Sequence, residues 1–582
     1  MVSRLHGPFS QYLCDRMGYE DSTLVHRLQV GFDYLGDIEP GHVGSDEFVD
    51  GSWRPSPQEL WEQREDTNRT ILASLHHSEH EDDVMDETIA DAQEGFMTLP
   101  QEVTGHNTAD VVLSPRLPVR EWREKDGKEY ERTRVTDDKS KSFANFAARM
   151  QEKLRCETLD TMTYMLTFML ACGRFPLMWK QDVRKAFRAC PIFWRHLPFA
   201  HVCFLWQGKR YMSGHRSMPF GTISAVAAWH RLGAFACEVC RRLARCPAGR
   251  YVDDYYGVCW ERIQVTGDTM LAVLMSLVGT SVDPGKGARR MLDMILLGAQ
   301  LLLDRGRASF SVKVAEAKAR KWACQLRQHL QSGLMSAGQA SKAAGKLSFS
   351  LTITANRCGR AFIKYFHMQQ RAPLPGGCMS AGLSSAALWF VAFLESQVHR
   401  WRQGNDRLRE RRRVVFYTDA AGSTRWLAAV VHCNGTWYWT RIRTPQAVWD
   451  QLLERGDNQI GLQELLAAVL AIWTFHELIT DSLTIHYIDN AGVLHGMLKG
   501  RLSSADGNLV VSRVWLALAR WNVARAGFQV ESDANCADLP TRDDLSMIEE
   551  QDAVYVSPVL PSWLADLWQV PEWDAFTVSE AL

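Results

Sequence analysis

Residues 250–260 read Arg250-Tyr-Val-Asp-Asp-Tyr-Tyr-Gly-Val-Cys-Trp260. The β-prone Tyr and Val on either side of two acids predict strand–turn–strand, with Asp253 and Asp254 at the turn. Adjacent carboxylates repel, and such a pair is tolerated best with a cation between them. Paired acids at hairpin turns are common, so the reading depends on their surroundings. Upstream, the apolar strand leading to Trp179-Lys-Gln-Asp182 ends in an acid, and a turn follows into Ala186-Phe187. Between the two acidic places lies Met218-Pro-Phe220-Gly221-Thr-Ile-Ser224. The stretch 225–243 that follows lacks Pro and spaces its apolar residues as a long helix does. One Asp on a strand facing two on a hairpin supplies the oxygen ligands that hard divalent cations want. Two such ions roughly 3.5–4 Å apart suit the attack of a hydroxyl on a phosphate.

The charge pattern agrees with a polyanionic partner. The chain of 582 residues has a net charge of −1, but its sign is distributed unevenly. Residues 1–131 carry 11 Lys and Arg against 28 Asp and Glu, and residues 543–582 carry 9 acids and no base. The centre, 132–542, therefore holds about 25 excess positive charges. No apolar run reaches membrane-spanning length, and the N-terminus lacks the apolar core of a signal peptide, so an intracellular protein without membrane contact is expected. The 14 Cys are scattered. The single CxxC, Cys237 and Cys240, has no second ligand pair, and buried thiols are expected.

A second acidic set follows the basic connector 407–413. Phe416-Tyr-Thr-Asp419 and Ile485-His-Tyr-Ile-Asp489 are strands that end in Asp. Gln463-Glu464 starts an apolar helix, and Asn535-Cys-Ala-Asp538-Leu-Pro-Thr-Arg542 closes the segment. Four carboxylates on strand ends and a helix can hold two Mg²⁺ across a phosphodiester.

In order and spacing, Asp182-x-x-x-Ala186-Phe187, then Pro219-Phe220-Gly221, then Tyr251-Val-Asp-Asp254 resemble reverse transcriptases. Arg134-Val-Thr-Asp-Asp138 with Asn145 resembles the preceding fingers motif, and Leu296-Leu-Gly298 the primer grip. The resemblance spans about residues 130–370. It implies that Asp182, Asp253 and Asp254 hold the metals and that Arg134 contacts the incoming triphosphate. It makes Phe187 the steric gate against a 2′-hydroxyl, and places Phe220 and Gly221 at the nucleotide. Lys286 takes the place of the family's phosphate-side lysine. The later set is similar to ribonucleases H, whose four ligands match Asp419, Glu464, Asp489 and Asp538. The family's mobile His before the last Asp is missing, and Asn535 is a candidate polar substitute. The closing Asn535-to-Arg542 stretch and Pro-Phe-Gly look most like retroelements of the DIRS, tyrosine-recombinase type, or of a related LTR type.

The fold class expected is multidomain α/β: a right-hand polymerase with fingers, an antiparallel palm sheet and a helical thumb and connection, then a ribonuclease H-like domain. The expected divisions are an acidic N-terminal region to 120, fingers and palm over 121–310, thumb and connection over 311–410, the nuclease over 411–545 and a Trp/Pro tail over 546–582. The acidic stretch 76–94 reads as a flexible insert or solvated helix. Residues 384–403 read as helix, and Lys and Arg of 334–366 as phosphate contacts. The expected function is RNA-directed DNA synthesis from dNTPs with Mg²⁺ or Mn²⁺, two ions per site. The partners are an RNA template, a DNA primer and their hybrid. An alternative is a domesticated, non-catalytic nucleic-acid-binding derivative, in which the acids would decay; both sets are intact. A group-II-intron or telomerase-like polymerase would not normally carry the second set.

Overall fold

Two large sheets carry the first half of the chain, the first antiparallel and the second mixed. In one, Ala248–Tyr251 pairs with Asp254–Trp260, which pairs with Pro176–Asp182 and then Ala288–Met291. The other has five strands in the order Gln101–Glu102, Lys209–Gly214, His201–Trp206, Leu113–Lys125 and Lys128–Asp137. Helix Ile223–Glu238 starts where the Thr222 hydroxyl accepts from Ala225 N (3.3 Å). It is apolar nearly all round, so it is buried nearly all round, and it ends in a π-helical turn, Val239–Leu243.

The computed structural model describes residues 7–43, 45–47, 52–125, 128–263, 266–277, 279–354, 357–396, 400–403, 411–456 and 459–568. They form two compact units, residues 1–169 with 174–291, and 170–173 with 292–582. The chain is a mixed α/β multidomain protein. No described helix is long and apolar enough to cross a membrane.

Residues before 121 do not stand apart. Leu13, Leu24, Leu28 and Tyr34 share one core with Trp179, Trp229 and Tyr255. Arg231 of the long helix is buried against Asp21, with Nε and Nη2 each 2.7 Å from a carboxylate oxygen. Removing one partner of such a pair strands a buried charge and costs about 3–5 kcal/mol. We therefore expect Arg231→Met to lower the melting temperature of this unit by roughly 10 °C. An unchanged thermal melt would contradict that packing.

The acidic stretch is an amphipathic helix, Glu81–Gln93, and not an insert. Its acids cluster in the first turn, where the helix dipole favours them. Val84 and Met85 pack with Val135 and Phe204.

In the second unit, Asp293–Leu296, Ala299–Asp304, Ser309–Val314 and Arg400–Gln403 form one sheet. Around it run helices Glu316–Ser332, Ala337–Thr354, Arg360–Arg371 and Ala381–Glu395. The expected helix 384–403 thus stops early. Residues 400–403 instead complete the sheet edge, pairing Val312 with Arg400 and Ser309 with Gln403. A six-stranded sheet follows, in the order Ala524–Gln529, Leu483–Ile488, Arg413–Ala420, Trp426–Cys433, Thr436–Arg443, Val554–Tyr555. Its first three strands are parallel, and helices Ile460–Thr474, Ala491–Lys499 and Ala505–Arg520 accompany it. The Trp-rich tail docks on this unit: Trp563 packs edge-on against Trp473, and Trp568 Nε1 donates to Gln451 O (2.8 Å).

Candidate active sites

Antiparallel register sets Asp254 directly opposite Asp182, and the turn between Tyr251 and Asp254 brings in Asp253. Val252 at that turn has φ +56°, a region that β-branched residues rarely occupy. Two side chains hold it there: Trp229 Nε1 and Arg250 Nη1 each donate to Val252 O (2.8 Å). The long helix thus fixes the acidic turn, and the strain is concentrated beside the candidate chemistry. Burial raises the carboxyl of Asp253, with the charge of Asp182 adding to it. Burial also raises Asp254, followed by the charges of Asp253 and Asp182.

Asp283 N donates to Asp182 O (2.7 Å), which ties the loop carrying Lys286 to the strand end. Lys286 Nζ then lies 3.2 and 3.1 Å from the two oxygens of Asp182. A cavity of about 520 Å³ opens here, with Asp182, Asp253, Arg134, Phe187, Phe220 and Lys286 in its lining. Arg134 stacks over the Phe220 ring at 4.0 Å, and Phe220 meets Phe187 at 5.7 Å between centroids. Gly221 adopts φ +93°, as the turn into the helix requires. Asn145 clamps that turn: its Nδ2 donates to Gly221 O (3.0 Å) and its Oδ1 accepts from Ile223 N (3.2 Å).

The same cavity holds residues that local sequence did not single out, among them Arg116, Arg132, Lys185 and Arg188. Asp91 on the acidic helix pairs with Arg188 (2.6 Å) and Lys185 (3.0 Å). Asp137 pairs with Arg116 (2.9 Å) and His215 (2.7 Å). Burial of Asp137 is offset first by the Arg116 guanidinium and then by the hydrogen-bonded His215, which hold its carboxyl well below the usual range, while burial pushes the His215 imidazole itself well down. These residues are scattered over more than a hundred positions, so no spacing could reveal them. The run Arg184-Lys185 beside Asp182 was the one local hint of a cationic wall.

In the second unit, ligand oxygens of Asp419, Glu464 and Asp489 lie within 4.8 Å of one another. Among the described residues this is the one set of three that converges so closely. Thr541 Oγ1 donates to Asp419 Oδ2 (2.9 Å) and Ser532 Oγ to Asp489 Oδ2 (3.1 Å). Glu464 Oε2 and Asp489 Oδ1 are shut from water without a partner. Orphaned buried acceptors on converging acids are what a divalent cation would satisfy, so the residues fit the group. Asp538 stands beside the trio without joining it: its carboxylate meets Arg542 Nε at 2.9 Å, yet its charge is felt at both Asp419 and Glu464. Asn535 cannot replace a mobile His. It is buried, Nδ2 donates to Thr418 O (3.0 Å) and Oδ1 accepts from Ala537 N (3.3 Å), which spends both groups on the backbone.

Burial, then the charges of Asp419 and Asp489, push Glu464 up to about 9. Burial raises Asp419 to about 6, against the lowering effect of Thr541. Near pH 7.5 Glu464 therefore keeps its proton, and a cation must expel it. We expect Mn²⁺ titration to release about one proton at this site, read as buffer-dependent heat in calorimetry. Glu464→Gln should abolish that release, and its affinity should stay flat over the pH range in which wild type gains affinity. Heat independent of buffer in both proteins would contradict this reading.

No protein-family model matches the chain, and no curated protein does. Solved structures similar to it include foamy viral protease–reverse transcriptases. One, in complex with double-stranded DNA, shares 14% identity at TM-score 0.42, covering 90% of this chain and 82% of that one. Another, with an RNA/DNA hybrid, shares 12% at TM-score 0.44, covering 90% and 63%. A third, with double-stranded DNA, shares 13% at TM-score 0.40, covering 90% and 97%.

Proposed function

We propose that the chain is an RNA-directed DNA polymerase that also cleaves the RNA strand of RNA–DNA hybrids. The observation that carries this is the cross-strand pair Asp182–Asp254, with Asp253 at a turn held in a strained conformation, at the edge of a cavity walled by cations and two Phe rings. Asp182, Asp253 and Asp254 would hold Mg²⁺ or Mn²⁺ in one site, and Asp419, Glu464 and Asp489, with Asp538 beside them, in the other. Bound there, such ions supply charge neutralisation and Lewis acidity for phosphoryl transfer.

The chain's own residues do the rest. Arg134 and its cationic neighbours bind a triphosphate in a cavity where Asp91 and Asp137 are already paired with Lys185, Arg188 and Arg116. Lys286 holds a proton beside Asp182, where the departing pyrophosphate can take it. Phe187, packed on Phe220, fills the space a 2′-hydroxyl would enter, so dNTPs are preferred. Gly221 lets backbone approach the nucleotide. Asn535-x-Ala-Asp538-x-Pro-Thr-Arg542 and Pro219-Phe-Gly221 support a retroelement of the DIRS type as the source lineage.

The test is extension of a DNA primer on an RNA template, with dNTPs and with NTPs. Wild type should extend with dNTPs. Phe187→Val should raise NTP incorporation relative to dNTP by roughly 10- to 100-fold, the effect of removing a steric block of about 1–3 kcal/mol. No extension by wild type, or unchanged discrimination in the variant, would count against these assignments.

A further inference from the structure

Phe187 stands on a short turn that five side chains hold from behind. The turn, Ala186–Ala189, is one 3₁₀ turn, and Lys185 before it has φ +49°, a region that residues other than Gly rarely occupy. So short and strained a turn does not fix its own place, and its surroundings must do so. Arg188, the residue after Phe187, reaches into the fold. Its Nη2 lies 2.6 Å from Asp91 Oδ2, and its Nη1 donates to His215 Nδ1 (2.9 Å). His215 Nε2 donates to Asp137 Oδ2 (2.7 Å), and Arg116 Nη1 donates to Asp137 Oδ1 (2.9 Å). Arg116 Nη2 then returns to Asp91 Oδ2 at 3.8 Å. The five close a ring, and their side chains are between 0% and 11% exposed.

A guanidinium only donates, so His215 Nδ1 must accept, and the imidazole carries its one proton on Nε2, toward Asp137. Burial keeps that imidazole neutral. Two cations, two carboxylates and a neutral ring balance without a ligand. What the closed ring does is join elements. Asp91 comes from helix Glu81–Gln93, Arg116 and Asp137 from the paired strands Leu113–Lys125 and Lys128–Asp137, and His215 follows strand Lys209–Gly214. Both Phe residues of the nucleotide cavity are tied to it. Cys190 N donates to Phe187 O (3.0 Å), and Met218 N donates to Cys190 O (2.8 Å). Arg188 Nη1 also reaches Ser217 O (3.4 Å), so the turn bearing Phe187 and the segment leading to Phe220 share one anchor. Arg188 lines the cavity and His215 does not, so His215 acts through Arg188.

We infer that His215 is a specificity-determining positioning residue: by accepting from Arg188 while donating to Asp137, it holds the turn that presents Phe187 to the sugar of the incoming nucleotide. The inference rests on the polymerase function proposed above and goes beyond it, because discrimination between sugars is then set by a group that never meets the sugar. The gate is as selective as the ring behind it is closed.

The test reads the ratio of kcat/KM for a dNTP to that for the matching NTP in primer extension. Both substrates carry the same triphosphate, so a change in phosphate binding or in the folded fraction cancels, and the contact with the sugar remains. His215→Leu can neither accept nor donate, and it should lower the ratio roughly threefold to tenfold through a displaced gate. His215→Gln offers an amide N–H to Asp137 and an amide oxygen to Arg188, and it should keep the ratio within about twofold of wild type. Should His215→Leu fail to fold, Arg188→Lys takes its place: it keeps the charge beside Asp91, loses the second arm that reaches His215, and should lower the ratio likewise. A wild-type ratio in the folded variants His215→Leu and Arg188→Lys, or an equal loss in His215→Gln, would overturn the positioning role and leave the polymerase standing. A wild type that extends with neither substrate would sink the polymerase reading, and this inference with it.

Discussion

Asp253→Asn is expected to lower primer extension by at least about a thousandfold while leaving hybrid cleavage intact. Asparagine matches the shape of aspartate, and the contact that fixes this residue's backbone, Val183 N to Asp253 O (3.3 Å), does not involve the side chain. What disappears is one of two adjacent negative charges, on Asp253 and Asp254, that burial makes unfavourable in the absence of a cation. A site built at that expense serves the cation, and loss of a ligand worth about 4 kcal/mol in the transition state is a thousandfold in rate. Stability separates this from damage to the fold. Relief of like-charge repulsion should leave the metal-free melting temperature unchanged or raised. A variant that melts lower and loses both activities would mean that Asp253 is structural.

Asp489→Asn is expected to do the converse: RNA cleavage falls by a similar factor and extension persists. Asp489 lies in the other compact unit, at the end of strand Leu483–Ile488, and offers a buried oxygen with no partner. Ser532 keeps its hydrogen bond to the remaining side-chain oxygen, so the strand end should hold. Glu464→Gln should behave alike, since Glu464 has an orphaned oxygen of its own. Asp538→Asn should be milder, because Asp538 already pairs with Arg542 and lies outside the converging three. Equal losses for Asp538→Asn and Asp489→Asn would place all four acids on the cation alike.

The sequence carried the strand-end acids well because their determinants are local. Tyr and Val flanking Asp253-Asp254 dictate a hairpin, an apolar run dictates the strand before Asp182, and two such elements pair in one register that sets Asp182 against Asp254. The strands leading to Asp419 and Asp489 were legible for the same reason. What escaped was long-range. Arg231 and Asp21 are 210 positions apart, and Asp137 meets His215 across 78. No periodicity connects them, so the N-terminal residues read as an acidic region apart when they in fact complete the first unit's core. Asn535 misled because its position suggested substrate, whereas both of its polar groups are spent on backbone. Residues 400–403 misled because their partner strand lies about ninety positions earlier, and pairing overrode local helix preference.

The central claim is that two separate carboxylate sites do two different reactions on one hybrid. The direct measurement follows both strands at once: an RNA template and a DNA primer with distinct labels, incubated with dNTPs and Mg²⁺. Wild type should lengthen the DNA and shorten the RNA; Asp253→Asn should only shorten the RNA, and Asp489→Asn should only lengthen the DNA. Wild type that leaves both strands unchanged, or either variant losing both activities while fully folded, would contradict the account.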